Sequence, residues 1–171
     1  MSTLTLINGL IRHSGAALVL SPKPGTSNPC CCGGCEILQI IYDWTDSSSK
    51  DLDTGTTFLG KKVGWSCGSV WPYISWGGDN TSASATENAL IYFKAALDNG
   101  LWSGSTTVNL AAGWYSPARG SGPAKVRVIC YTDPESVEPQ EKQISPGSQN
   151  NCASTSVGSV TINEDGTFTL N

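Results

Sequence analysis

Glu36-Ile37-Leu38-Gln39-Ile40-Ile41-Tyr42-Asp43-Trp44 decides the fold, because nine successive residues rich in β-branched and aromatic side chains read as a strand. Working outward, Thr3-Leu4-Thr5-Leu6-Ile7 alternates and Ala16 to Leu20 is apolar. Val63-Gly64-Trp65, Tyr73-Ile74-Ser75-Trp76, Thr106-Thr107-Val108-Asn109-Leu110 and Ala124 to Tyr131 repeat the strand pattern, separated by Gly, Ser, Asp and Pro. Short strands with turn punctuation predict an all-β, antiparallel, jelly-roll-like sandwich. One segment is contested. Ser84-Ala85-Thr86-Glu87 spells a helix capping box, yet Leu90-Ile91-Tyr92-Phe93 is strand-like. The reading favours a strand over about 88–93 followed by a helical turn over 94–99.

Composition then divides the chain. From Asp133 to Asn151 the sequence DPESVEPQEKQISPGSQNN has three prolines and no aromatics, and reads as an exposed loop or linker. Beyond it, Ser159-Val160-Thr161-Ile162 and Thr167-Phe168-Thr169-Leu170 flank Asn163-Glu164-Asp165-Gly166, the spelling of a hairpin. The expected organisation is an N-terminal arm (1–29), the sandwich (30–132), a linker (133–152) and a C-terminal β-hairpin (153–171). A hairpin alone is marginal in water, so it has to dock on the sandwich, on the arm or on another subunit. Both termini are expected to become ordered only on assembly.

The charge content excludes several functions. Ten Lys and Arg against 14 Asp and Glu give a net charge of −4, and only 14% of the residues are charged. So few cations cannot neutralise a phosphate backbone, which argues against nucleic-acid binding. No apolar run reaches the ~18 residues of a membrane helix, and no secretion signal is read at the N-terminus. The single histidine, His13, stands without acid or cysteine neighbours. No nucleophile has a readable base beside it, so the expectation is a non-enzymatic protein.

Two constellations can carry function. The first is acidic: Asp51 and Asp53, two apart in an extended segment, face one side, and Gly77-Gly78-Asp79-Asn80 with Glu87 supplies further oxygen donors. Hard oxygen ligands from loops suit calcium better than zinc. The plainer alternative is that these residues end strands and make turns. The second constellation is Cys30, Cys31, Cys32 and Cys35, with Cys67, Cys130 and Cys152 far away. Disulfides from the cluster to Cys67, Cys130 or Cys152, a structural metal through Cys32 and Cys35, and free thiols are all open readings. Seven is odd, so at least one thiol is left outside intramolecular disulfides. Aromatic residues Trp71, Tyr73, Trp76, Trp114 and Tyr115 are core residues or a surface for carbohydrate or a protein partner.

The order Asp51-Leu52-Asp53, Gly78-Asp79-Asn80 and then a glutamate before an apolar strand resembles the DLD, GDN, E pattern of the tellurium-resistance (Ter) stress-protein domains. That resemblance implies a calcium-binding β-sandwich with Asp51, Asp53, Asp79 and Asn80 at the motif positions and Glu87 matching more loosely. The interval from Asp53 to Asp79 is shorter than in that family, and the residues after Asp53 differ. Separately, DLDTGTTFLGKKVGWSCG with AGWYSPARGSGPAKVRV resembles small all-β proteins encoded by tailed phages, over about residues 37 to 131. This implies a structural or attachment component of a phage-like virion, made in the host cytoplasm and assembling with other copies of itself or other virion proteins. A virion component also reconciles seven cysteines with the lack of an export signal. The alternative from a different class is a soluble calcium-dependent module that binds carbohydrate or a stress-response partner.

Overall fold

The computed structural model describes residues 34–48, 51–115, 122–135, 137–148, 152–153 and 155–171 in full, and the backbone of 4–7, 10–13 and 16–18. The chain divides into two units, Met1–Cys31 and Cys32–Asn171. In the first, β1 (Leu4–Ile7), β2 (Leu10–His13) and β3 (Ala16–Leu18) form an antiparallel sheet in the order β1-β2-β3. The strands expected at 3–7 and 16–20 fall on β1 and β3, and β2 adds a strand between them.

The second unit is an all-β sandwich. One sheet contains β5 (Leu52–Phe58), β6 (Lys61–Gly64), β10 (Ser105–Trp114), β14 (Ser156–Asn163) and β15 (Phe168–Leu170), in the order β15-β14-β10-β5-β6. These strands are antiparallel, and the short β13 (Gly147–Ser148) pairs with β10 in parallel. The other sheet contains β4 (Leu38–Asp43), β7 (Val70–Trp71), β8 (Ile74–Trp76), β9 (Thr86–Ile91), β11 (Ala124–Cys130) and β12 (Gln140–Ile144), in the order β12-β11-β4-β9-β8-β7. A single short helix, α1 (Phe93–Asp98), follows β9 among the described residues.

The core follows from the two-residue period of a strand. Leu38, Ile40 and Tyr42 of β4, Ala89 and Ile91 of β9, and Val126 and Val128 of β11 are fully buried. So are Val108 and Ala112 of β10 and Val160 and Ile162 of β14. Trp44, Phe58 and Phe93 are the largest apolar groups added to this core. Polar contacts also cross the sandwich. The Tyr42 hydroxyl on one sheet lies 2.9 Å from Thr56 Oγ1 and donates to the Gly55 carbonyl, 3.2 Å away, on the other.

Two segments depart from the sequence reading. Residues 52–58 form a strand in the middle of a sheet although LDTGTTF carries an acid, three threonines and a glycine. Both of its faces are covered: Leu52, Thr54, Thr56 and Phe58 face the core, and the Cys152 and Ala153 carbonyls lie against Gly55 on the other side. Gly64, paired with Gly55, has φ 139°, and a methyl group there would lie 2.0 Å from the Thr54 carbonyl oxygen. The segment read as a linker, 133–152, carries β12, which pairs with β11 from Ala124↔Ile144 to Val128↔Gln140. An edge strand needs no apolar face on its solvent side, so QEKQI can pair without looking like a strand. The C-terminal strands β14 and β15 pair as the expected hairpin and dock on the sandwich, one of the three options: β14 pairs with β10 from Ser105↔Asn163 to Ala111↔Ser156 within this chain's own sheet, so they need no assembly to be paired. The contested segment follows the favoured reading: residues 84–87 lead into the strand β9 rather than capping a helix, and α1 follows after Tyr92 without a side-chain cap.

Candidate cation site

β5, the residue before it and the loop after β8 meet at one place. Asp51 precedes β5, Asp53 is its second residue, and Asp79 lies on the connection from β8 to β9. One carboxylate oxygen from each of the three lies within 4.8 Å of the other two. The local geometry differs from the extended one read from the sequence. Asp51 has φ 66°, in the left-handed region that Asp tolerates better than most residues. Tyr115 N–H donates to the Asp51 carbonyl at 2.8 Å and fixes this turn against the end of β10.

Asn80 and Glu87, expected as further ligands, stand behind the cluster. Glu87 is on the inward face of β9 and only 1% exposed. Its Oε1 accepts the Asn80 N–H at 3.0 Å, and its Oε2 accepts Thr54 Oγ1 and the Trp76 indole N–H, the latter at 3.3 Å. One side chain therefore holds the loop that carries Asp79 and the strand that carries Asp53. The Asn80 amide is used locally, donating to the Thr86 carbonyl at 3.3 Å while its oxygen accepts Ser82 N–H at 3.1 Å.

The electrostatics record the crowding. Burial pushes the Glu87 carboxyl up to about 7, the Asp79 charge adds to the rise, and the three donors on its oxygens oppose it. Asp51 is raised by burial and then by Asp79. The Asp51 Oδ1 atom is buried and accepts no hydrogen bond among the described residues. A cation-free carboxylate oxygen in that position is costly, whereas a hard divalent cation would satisfy it. The donor set is all oxygen, which suits calcium or magnesium and not a thiolate-seeking metal.

The aromatic candidates separate. Trp71 is 41% exposed, Tyr73 and Tyr115 are half-buried, and Trp114 is packed into the core at 7% exposure. Trp76, read as a core residue or a contact surface, is half-buried and donates its indole N–H to Glu87. Neither that role nor the part of Thr54 was visible from spacing, because both depend on which strands become neighbours across the sandwich. Cys35 and Cys130 lie at disulfide distance with Cα atoms 5.5 Å apart, and Cys67 and Cys152 with Cα atoms 5.0 Å apart. The first pair is buried in the core and the second is half-buried. Cys30, Cys31 and Cys32 lie outside the described residues. No protein-family model matches the sequence, and no curated protein matches it.

Proposed function

We propose that the protein is a non-enzymatic, calcium-stabilised β-sandwich binding module, of the kind that its likeness to the Ter domains implies. The convergence of Asp51, Asp53 and Asp79 within 4.8 Å carries this reading. Burial and the neighbouring Asp79 charge disfavour the ionised form of Asp51, and a divalent ion among the three carboxylates would turn that repulsion into attraction. Asp51, Asp53 and Asp79 would hold the ion, Glu87 would hold the loop and strand that present them, and the ion would supply charge neutralisation and local rigidity. Thermal unfolding of the full chain tests it. The melting temperature should rise with free calcium by mass action, and Asp53→Asn should abolish that rise while leaving the fold intact. A melting curve that is the same in calcium and in chelator would overturn the proposal.

A second reading, a structural or attachment component of a phage-like particle, is favoured by one observation: the separate unit Met1–Cys31 holds a three-stranded sheet whose two outer strands have no further strand partner among the described residues. Edge strands pair with strands of other chains. Assembly would run through that unit, since the C-terminal strands are used within the chain's own sandwich. Sedimentation of the full chain over a range of concentrations decides this reading, which requires an ordered oligomer and fails for a strict monomer.

A further inference from the structure

Two hairpin turns and the segment after α1 wall a groove of about 460 Å³ lined by Leu59, Lys61, Pro72, Tyr73 and Leu101. None of these residues belongs to the acidic cluster. The turns are unusual in the residues they carry. Phe58↔Lys61 and Trp71↔Ile74 are paired, which leaves the two-residue turns Leu59-Gly60 and Pro72-Tyr73. Leu59 has φ 47° and Tyr73 has φ 70°, left-handed conformations that Gly or Asn adopts at lower cost. Large side chains are thus held in strained backbone at two turns, and both face the same groove. Backbone strain of this sort concentrates at binding sites, where the side chain matters more than the ease of the turn.

The same region gathers exposed apolar surface. Leu59, Val70, Trp71 and Leu101 are 36%, 71%, 41% and 52% exposed, and they make up four of the five large exposed apolar residues among those described. The walls are braced: Trp71 donates its indole N–H to the Lys62 carbonyl at 2.9 Å, the Tyr73 carbonyl accepts Tyr92 N–H at 2.9 Å, and Leu101 N–H bonds the Ala96 carbonyl at 3.1 Å. At the rim, Lys61 Nζ lies 5.1 Å from the centre of the Trp71 ring, and no carboxylate among the described residues pairs with it. A preformed apolar groove of this volume with one unpaired cation matches the general form of a small-molecule site.

We propose that this groove binds a compact apolar monoanion, such as an aryl carboxylate or sulfonate, with the ring against Leu59, Pro72, Tyr73 and Leu101 and the anion at Lys61. Sugars fit less well, because among the described residues the hydrogen-bonding side chains on the lining are the Lys61 ammonium and the Tyr73 hydroxyl, too few for a ring of hydroxyls. The site does not depend on the cation reading.

Calorimetry on the full chain with 1-naphthalenesulfonate, uncharged 1-naphthalenemethanol and methyl glucoside tests the assignment. The sulfonate should bind one to one, about three- to fivefold more tightly than the neutral analogue, and Lys61→Gln should erase that difference. Leu59→Asn creates the favoured Asn-Gly turn and should therefore raise the melting temperature by about 2–4 °C while weakening the sulfonate at least tenfold. A variant that merely misfolded would lower the melting temperature. The affinity should be the same in calcium and in chelator, so a failed cation site leaves this result standing. The proposal is overturned by no saturable binding of the sulfonate, by binding that Leu59→Asn leaves unchanged, by preference for the glucoside, or by a concentration-dependent dimer that Leu59→Asn dissolves.

Discussion

Glu87→Gln removes one ionisable group and leaves the shape of a fully buried side chain nearly unchanged. In the wild type the folded state holds this carboxyl at about 7 against an ordinary value of 4.5. Below pH 4.5 the group is protonated whether the chain is folded or not, and it contributes nothing to the pH dependence. Between 4.5 and about 7 the unfolded chain ionises while the folded chain keeps its proton, so stability falls as pH rises. At 1.36 kcal/mol per pH unit the loss levels off at about 3 kcal/mol above pH 7. Glutamine abolishes that loss. It also sets an amide N–H₂ against donors from Thr54 or Trp76, at a pH-independent cost of about 1 kcal/mol. The variant should therefore be the less stable protein near pH 4.5 and the more stable by about 2 kcal/mol above pH 7. Urea unfolding followed by tryptophan fluorescence, in metal-free buffer from pH 4.5 to 8.5, measures the difference. Asp51 is raised in both proteins and drops out of the comparison to first order. A difference curve that is flat with pH would refute the reasoning. Saturating calcium should shrink the difference, because a nearby cation favours the ionised form.

At the acid end the opposite sign applies. Burial raises Asp43, but Thr45 through its hydroxyl and N–H, with Lys125 and Arg127, brings the carboxyl below its ordinary value of 3.8. Its stabilisation is thus present above that value and lost as pH falls through the lower folded one. Asp43→Asn should flatten the acid limb of the same urea series. Tyr42→Phe deletes the hydroxyl shared with Thr56 and Gly55 and should cost about 1 kcal/mol, read from the urea midpoint at unchanged slope. Mild reductant followed by alkylation and peptide mapping should open the half-buried Cys67–Cys152 pair before the buried Cys35–Cys130 pair. Cys130→Ala, which frees a loop with a sequence separation of 95, should cost roughly 4–5 kcal/mol in the chain-entropy model.

How much of this was legible depends on what each strand buries. β4 and β11 alternate inward apolar residues with half-exposed ones, and the sequence shows them at once. β5 is invisible to hydrophobic patterning because its inward positions include Thr54 and Thr56, which satisfy Glu87 and Tyr42, and its outward positions include Asp53 and Gly55 under the Cys152–Ala153 chain. β12 is invisible because it is an edge. The acidic residues were found by their spacing, yet the left-handed turn at Asp51 and the supporting role of Glu87 and Asn80 follow from tertiary neighbours that no local pattern encodes. The cysteine cluster pointed to distant partners without choosing among them, since connectivity depends on which strand ends come together.

The polar pairs across the sandwich have a consequence for strand alignment. In a strand with two buried faces, apolar burial discriminates poorly between alignments that differ by one residue, and a slip exchanges inner and outer side chains wholesale. For β5 such a slip would bring Asp53 and Gly55 into the interior in place of Thr54 and Thr56. Glu87 would then face a carboxylate instead of a hydroxyl donor, and the Tyr42 hydroxyl would lose its hydroxyl partner. Each error leaves a buried polar group unsatisfied, at about 1–3 kcal/mol or more where charge is involved. The threonines of LDTGTTF thus act as a vernier that sets the strand against its neighbours, and the same setting brings Asp53 to the position where it meets Asp51 and Asp79.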